Sequence, residues 1–314
     1  HSLLEWDVEG TRIDLFYFME LSVLGMRLRA LARLIDQPVR TLADLEGLAI
    51  DGSFLKQESQ DEMAAEHYRV LTHDMVPAAS LFLERKAMLG GAVSGRVREA
   101  MEHTGFAPDT SSYPADHLVN VLLFLAHLAD RQDIETLQRV TRMHVLSWMP
   151  LLIDALSQSG AKLFNEMGHE IELAMLGIGV DSLGTESDYP PLMELPFDMD
   201  KAELAAIGIY LATPIESGLF ISKARLAIEA RSHRLPTGFG TRAMTIEGLF
   251  RSAGQYEAIG AVCDFFDQEI ESKEELWKRW SDTGAAHWSG EWAKKLANTR
   301  RVIETLREAE DTSS

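Results

Sequence analysis

Few residues in this chain are arranged as a catalytic or metal site requires. The ten histidines are scattered, and no two stand four residues apart, the spacing that places two zinc ligands on one helix face. The sequence contains no Gly-x-Ser-x-Gly motif to expose a serine nucleophile and no P-loop motif to hold phosphates. These patterns therefore predict neither an enzyme nor a metal site.

Two further patterns could suggest chemistry but favour simpler interpretations. Gly177 and Gly179 form a Gly-x-Gly pair, yet no third glycine follows at the right offset and no strand is predicted before it, so a dinucleotide site is not indicated. The acidic pairs Glu269 with Glu271 and Glu274 with Glu275 are expected to lie on solvated helix faces. An enzyme of a type without a recognisable motif stays the least favoured alternative.

The adjacent residues Asp116 and His117 are the chemically most distinctive pair. They follow Pro114, which fixes its own φ and favours an extended residue before it. An apolar run follows them, so Asp116 is predicted to cap the first turn of a helix. His117 is expected to bond a nearby carbonyl. This arrangement predicts a rigid hinge in the turn-rich segment at about 107–116.

Helices must position this pair, because apolar residues recur at three- and four-residue spacing along almost the whole chain. The run after His117 is apolar on most sides, which is typical of a helix inside a bundle. A second segment closes with Trp148 and Pro150. Trp148 is predicted to be a core anchor, and Pro150 is expected in a first helical turn or at a kink.

The first of these segments resembles the signature of the TorD/DmsD/NarJ-like family of molybdoenzyme chaperones. Family members carry Glu-Pro-x-Asp-His before a leucine-rich helix. Pro114, Asp116 and His117 match that motif here, and Tyr113 stands where glutamate is usual. The departure at Tyr113 puts any role of the missing carboxylate in doubt.

Two other segments support the resemblance. The family pattern His-Leu-x-x-Trp-x-Pro is matched by His144, Trp148 and Pro150, with valine in place of leucine. A Pro-x-x-Ser pattern is matched by Pro77 and Ser80, with two alanines between them. The resemblance extends from about residue 16 to residue 156, roughly the first half of the chain. Segments 217–222 and 235–242 look similar to longer members that have a C-terminal extension.

The resemblance implies an all-α fold, a TorD-like antiparallel helical bundle with an additional C-terminal helical segment. The bundle is predicted at residues 1–176, with its hinge at about 107–116. Residues 177–200, rich in proline, glycine and acidic residues, are predicted to be a linker. Residues 201–314 are predicted to be the extension, which either packs on the bundle or forms a second lobe.

The function implied by the resemblance is that of a system-specific cytoplasmic chaperone in anaerobic respiration. It would bind an apo molybdenum oxidoreductase through its twin-arginine signal peptide or N-terminal segment, hold it for cofactor insertion and delay export. The alternative is a non-catalytic assembly subunit of a membrane-associated molybdoenzyme that reads no signal peptide. The residues expected to bind the client are Tyr113, Pro114, Asp116, His117, Asp109 and Glu84. The residues expected to be structural are Leu122, Phe124, His144, Trp148 and Pro150.

Composition sets further bounds. The formal net charge of −19 disfavours nucleic acid and suits a basic peptide partner, although acidic surfaces also serve solubility. The single cysteine, Cys263, excludes an internal disulfide and is expected in the core. No apolar run reaches the roughly 20 residues of a membrane span, and no signal peptide is visible.

No cofactor is expected beyond weak guanine nucleotide or molybdopterin-guanine-dinucleotide binding implied by the resemblance. A monomer or a domain-swapped dimer is expected.

Overall fold

The computed structural model describes residues 20–85, 89–180, 192, 197–199, 202–236 and 240–311. Within these ranges the chain is helical and contains no named strand, so the predicted all-α class is confirmed. The helices of the first half are α1 Leu21–Asp36, α2 Gln60–Tyr68, α3 Ala79–Leu83, α4 Gly91–His103, α5 Leu118–Asp130, α6 Ile134–Val140, α7 Met149–Ser157 and α8 Lys162–Ile178.

The second half continues in the same way, which confirms the predicted C-terminal helical segment. Its helices are α9 Leu204–Ala212, α10 Pro214–Ser217, α11 Lys223–Ser232, α12 Arg242–Gln255, α13 Ile259–Trp280 and α14 Ala286–Asp311. Most of the predicted linker at 177–200 lies outside the described residues. The boundaries of the predicted domains therefore stay a prediction.

Local sequence signals explain where several helices begin. Ser59 and Glu62 form a capping box at the start of α2, in which each side chain accepts a hydrogen bond from the other residue's N–H. Ser222 caps α11 by accepting a hydrogen bond from the Arg225 N–H. Pro150 occupies the first turn of α7, where its missing N–H costs no hydrogen bond.

Three π turns interrupt the helices that the structure describes. The first extends α2 from Arg69 to Asp74, and the second, Thr141–Val145, follows α6. The third, Ser281–Ala285, joins α13 to α14 through a kink, because Thr283 and Gly284 have non-helical backbone angles. Helix α13 is unbroken, because buried residues keep their spacing along all of its 22 residues.

The first half is centred on α5, which packs along α1 with buried residues from both helices. On the other side of α1, Arg27 makes a bidentate contact with Glu170 of α8 at 2.8 and 2.9 Å. The Glu170 side chain is only 2% exposed, so the pair fixes α1 against α8.

The C-terminal segment packs directly on the first half. Trp288 and Trp292 of α14 are fully buried, and their indole N–H groups donate to the carbonyls of Arg142 and Ser147 at 2.7 and 2.8 Å. Phe220 meets Phe82 of α3 with ring centroids 5.1 Å apart. Of the two arrangements considered for this segment, packing on the bundle is therefore the one observed among the described residues.

A buried charged cluster joins the same two halves. Lys273 of α13 is fully buried and contacts Asp154 of α7 at 2.8 Å and Glu269 at 3.3 Å. Arg225 of α11 also bonds Glu269 at 2.9 Å. The prediction that Glu269 lies on a solvated face is thus wrong, because its side chain is 5% exposed and is paired with two cations. The cluster balances two positive charges against two negative ones.

Replacing Lys273 by Met tests this cluster. The apolar side chain fills similar space but leaves Asp154 and Glu269 without their buried cation, so we expect the free energy of unfolding to fall by about 3–5 kcal/mol. The measurement is urea denaturation. The matched control is Lys278→Met on the same helix, where the exposed side chain predicts a change within about 0.5 kcal/mol. Similar stabilities for the two variants would contradict the role given to the cluster.

Candidate functional site

The segment before α3 pairs with the segment before α5. The N–H of Ala79 donates to the Asp116 carbonyl at 3.1 Å, and the N–H of Leu118 donates to the Pro77 carbonyl at 2.7 Å. These bonds flank an antiparallel bridge between Ala78 and His117. The two short sequence patterns that supported the family resemblance are therefore in direct backbone contact.

Asp116 lies inside this contact and is fully buried. Its Oδ2 accepts a hydrogen bond from the Ser80 N–H at 2.7 Å, which caps the short helix α3 from 36 residues away in sequence. Its Oδ1 is buried and has no hydrogen-bond partner among the described residues. The prediction that Asp116 caps α5 is wrong, because that position belongs to His117. A buried carboxylate of this kind cannot touch a client directly and serves to position α3.

His117 caps α5 with its imidazole ring. Its Nδ1 accepts a hydrogen bond from the Val119 N–H at 3.3 Å, so the ring must be neutral at Nδ1 for the cap to form. His117 was expected to bond a carbonyl, but its ring nitrogen Nδ1 instead accepts from the backbone N–H of Val119. The ring stacks on Tyr113 with centroids 4.0 Å apart and an interplanar angle of 10°. Burial lowers the pKa of His117 to about 4, against the opposing charge of Asp36.

Tyr113 and Pro114 form the exposed edge of the motif, since both are partly accessible. Asp36 lies near Tyr113 at the end of α1, and burial first, then Asp36, raises the pKa of Tyr113. Asp36 is exposed and also borders a cavity of about 130 Å³ with Asp44 and Arg40. A carboxylate from α1 therefore lies near position 113, where the family motif usually has glutamate.

Asn120 fastens the hinge loop to α5. Its side-chain amide is directed at the carbonyls of Asp109, Tyr113 and Pro114 at 3.2, 3.4 and 3.1 Å. Asn120 was not among the residues predicted from the sequence. An amide in the first turn of an otherwise apolar helix does indicate a buried polar group that needs hydrogen-bond partners. Asp109 itself is exposed, and hydrogen bonds from the hydroxyl and N–H of Ser111 lower its pKa.

Glu84 has a structural task that the sequence did not reveal. Its Oε1 accepts a hydrogen bond from the Val93 N–H at 2.7 Å, which caps α4. The Ser80 hydroxyl oxygen accepts from the Gly90 N–H at 3.0 Å in the same turn. Glu84 was expected to bind the client, but its carboxylate is engaged at a helix N-terminus.

The second signature packs behind the first. Trp148 is fully buried, donates from Nε1 to the His144 carbonyl at 3.0 Å, and lies 5.7 Å from the ring of Phe82 in α3. Burial, followed by the charges of Arg96 and Arg139, lowers the pKa of His144 to about 4. Leu122 and Phe124 of α5 are also buried in the core. Trp148 is a core anchor, as its sequence context predicted.

This geometry supports binding more readily than catalysis. The described part of the chain contains no group of three or more side chains able to hold a metal ion. The exposed chemical groups of the hinge are the carboxylates of Asp36 and Asp109 and the ring of Tyr113. Carboxylates beside an aromatic ring suit a guanidinium or ammonium group of a peptide.

Comparison with known proteins agrees with the motifs. Residues 30–154 match the family described as nitrate reductase delta subunit. The match covers less than half of the chain but includes both paired segments and both signatures, so the resemblance is confirmed for this part. The family is one of non-catalytic maturation chaperones for molybdenum enzymes. No curated protein matches the chain. Among the described helices, none is both long and apolar enough to span a membrane.

His117 and His144 predict a stability that falls in mild acid. Both have folded-state pKa values of about 4, below the ordinary 6.5, so the unfolded chain takes up their protons first as pH decreases. The free energy of unfolding should therefore decrease as pH falls from about 6.5 to 4, by about 1–2 kcal/mol per histidine between pH 7 and pH 5. Urea denaturation at the two pH values measures this difference.

The variant His117→Asn separates the two contributions. Asparagine caps helices without titrating, so the pH 7 to pH 5 difference should shrink by the share of His117. The control His103→Asn changes an exposed histidine and should leave the difference unchanged. A wild-type stability that is equal at pH 7 and pH 5 would refute the assignment.

Proposed function

We propose that this chain, whose residues 30–154 match the nitrate reductase delta subunit family, is a system-specific chaperone for one molybdenum oxidoreductase. It binds the apo catalytic subunit through a twin-arginine signal peptide or N-terminal segment, in the cytoplasm. It holds the client for cofactor insertion and delays its export. The observation that carries this proposal is the paired hinge, which presents Tyr113 and Pro114 on a rigid support beside Asp36.

The hinge divides the expected client-binding residues into two groups. Tyr113, Pro114 and Asp109 are accessible and can touch a peptide, whereas Asp116 and His117 are buried and hold the accessible residues in place. Preorganised contacts lose little conformational entropy on binding, so a fixed hinge strengthens a weak peptide interaction. In this proposal Asp36 joins the client-binding residues in place of Glu84, whose carboxylate caps α4.

Charge complements this arrangement. The chain carries a formal net charge of −19, which attracts a basic peptide over distances up to a Debye length. At the hinge, the exposed carboxylates of Asp36 and Asp109 can each receive two N–H groups of an arginine, which fixes orientation as well as affinity. Two further expectations stay predictions. One is weak binding of a guanine nucleotide. The other is that the chain is a monomer or a domain-swapped dimer, in which the exchanged segment would pivot at the hinge.

A second candidate function is supported by the family description and by Tyr113. The matched family is described as a subunit of nitrate reductase, and the carboxylate usual at position 113 is absent from the motif itself. In this alternative the chain is a non-catalytic assembly subunit that binds its enzyme without reading a signal peptide. The two functions differ in whether the N-terminal peptide of the client suffices for binding.

Peptide titration tests the first proposal. The N-terminal peptide of the client should bind, and its affinity should fall as salt rises. Asp36→Asn and Asp109→Asn should each weaken binding by about 0.2–1 kcal/mol, or roughly 1.4-fold to fivefold, because exposed ion pairs are screened by water. The control Asp282→Asn removes an exposed carboxylate from the π turn after α13 and should leave affinity unchanged.

Recovery of bound proteins from anaerobic cells distinguishes the alternatives. A cofactor-free molybdenum oxidoreductase subunit with an uncleaved twin-arginine signal would support the chaperone. A mature holoenzyme, together with no affinity for the peptide, would favour the assembly subunit. Recovery of neither, from cells that make such enzymes, would contradict both.

A further inference from the structure

A small cavity lies where the first half of the chain meets α14. Its volume is about 90 Å³, and its walls come from the end of α3, the first turns of α4, the π turn at Thr141–Val145 and Trp288. The polar groups that line it are Glu84, Arg96, His144 and Ser147. None of the functional residues proposed at the hinge surface borders this cavity.

The charges around His144 are unusual for so acidic a chain. Arg96 and Arg139 are both exposed, and neither has a carboxylate partner in the part of the chain that the structure describes. Arg98, two residues along the same helix, does have one, Glu102 at 3.8 Å. The two unpaired guanidinium groups act on His144 strongly enough to contribute to its lowered pKa.

The acidic residue of the cavity, Glu84, has a backbone partner. Glu84 accepts a hydrogen bond from the Val93 N–H and so is directed at the N-terminus of α4. Burial and the positive charges of Arg96 and Arg139 lower the pKa of His144. Two guanidinium groups therefore lie near this imidazole, in a protein whose overall charge is strongly negative.

We propose that this cavity binds one small anionic group, a carboxylate or a phosphate, on the Arg96 guanidinium and the imidazole of His144. Arginine presents paired N–H donors that match either group, and a neutral imidazole supplies one further N–H. Arg139 adds long-range attraction. The proposal is independent of client binding at the hinge.

The size of the cavity limits what the anion can belong to. Sites for complete cofactors or nucleotides enclose about 300–1,000 Å³. A cavity of about 90 Å³ holds a free small anion, or the anionic end of a larger molecule whose remainder stays in solvent. A buried nucleotide therefore does not fit this place.

The local backbone fits a binding role. His144 lies in a π turn, a rare geometry that recurs at functional sites. The same turn offers its Arg142 carbonyl to Trp288, so α14 supplies one wall of the cavity and holds the turn in place. The site is therefore completed by the C-terminal segment and requires the full chain.

Histidine side-chain NMR on the full chain tests the proposal. Inorganic phosphate and acetate are titrated at pH 6.5 with ionic strength held constant by chloride, and His144→Gln identifies the resonance. We expect a saturable shift of His144 with phosphate, acetate or both, because a bound anion stabilises the protonated ring. Saturation with phosphate alone identifies a phosphate site, and saturation with acetate alone identifies a carboxylate site.

Arg96→Gln should weaken this binding at least tenfold, whereas the matched control Arg98→Gln on the same helix should leave it unchanged. A His144 resonance that does not move, or that responds to chloride as strongly as to the two anions, would overturn the proposal. Equal binding in Arg96→Gln and wild type would also overturn it. Thermal unfolding of each variant shows that the chain remains folded.

Discussion

The contact between residues 77–80 and 116–118 is the constraint on which the site depends. Two backbone hydrogen bonds and the buried carboxylate of Asp116 join segments that are almost 40 positions apart in the chain. Because Asp116 is fully buried, the free energy of removing its charge from water must be offset by its bond to Ser80 and by its surroundings. Once formed, the contact sets the starts of α3 and α5 together, and with them the position of Tyr113.

The C-terminal segment depends on the same region. Phe82 of α3 contacts both Trp148 and Phe220, so the short helix capped by Asp116 also forms the surface on which the C-terminal segment packs. Trp288 and Trp292 then satisfy two carbonyls in and beside the second signature. Unsatisfied buried carbonyls are costly, so separation of the two halves would expose both apolar surface and polar groups. This coupling makes the C-terminal segment part of the protein's core.

The sequence predicted what local patterns determine. Apolar spacing predicted a helical chain, and Trp148 was placed in the core. Pro150 occupies the first turn, one of the two positions that were expected for it. The motifs also identified the family of residues 30–154. The hinge and its two signatures were therefore visible as sequence before their contacts were known.

Long-range contacts account for what the sequence did not predict. Asp116 has the right position to cap α5, yet its partner is a backbone N–H in a different segment. Glu269 has the local pattern of a solvated residue, but Arg225 and Lys273 come to it from the fold. The approach of Asp36 to Tyr113 depends on how α1 crosses α5, which no spacing within either helix encodes. Such partners can be recognised only in three dimensions.

Native-state hydrogen exchange at the hinge tests the central claim most directly. The account predicts that the amides of Ala79, Ser80 and Leu118 exchange as slowly as those in the middle of α5, because all three are bonded within one packed contact. The amide of Ser111, bonded only to an exposed aspartate side chain, should exchange much faster. Fast exchange of Ala79 and Leu118, at the rate of Ser111, would contradict a rigid hinge and remove the physical support for the proposed binding site.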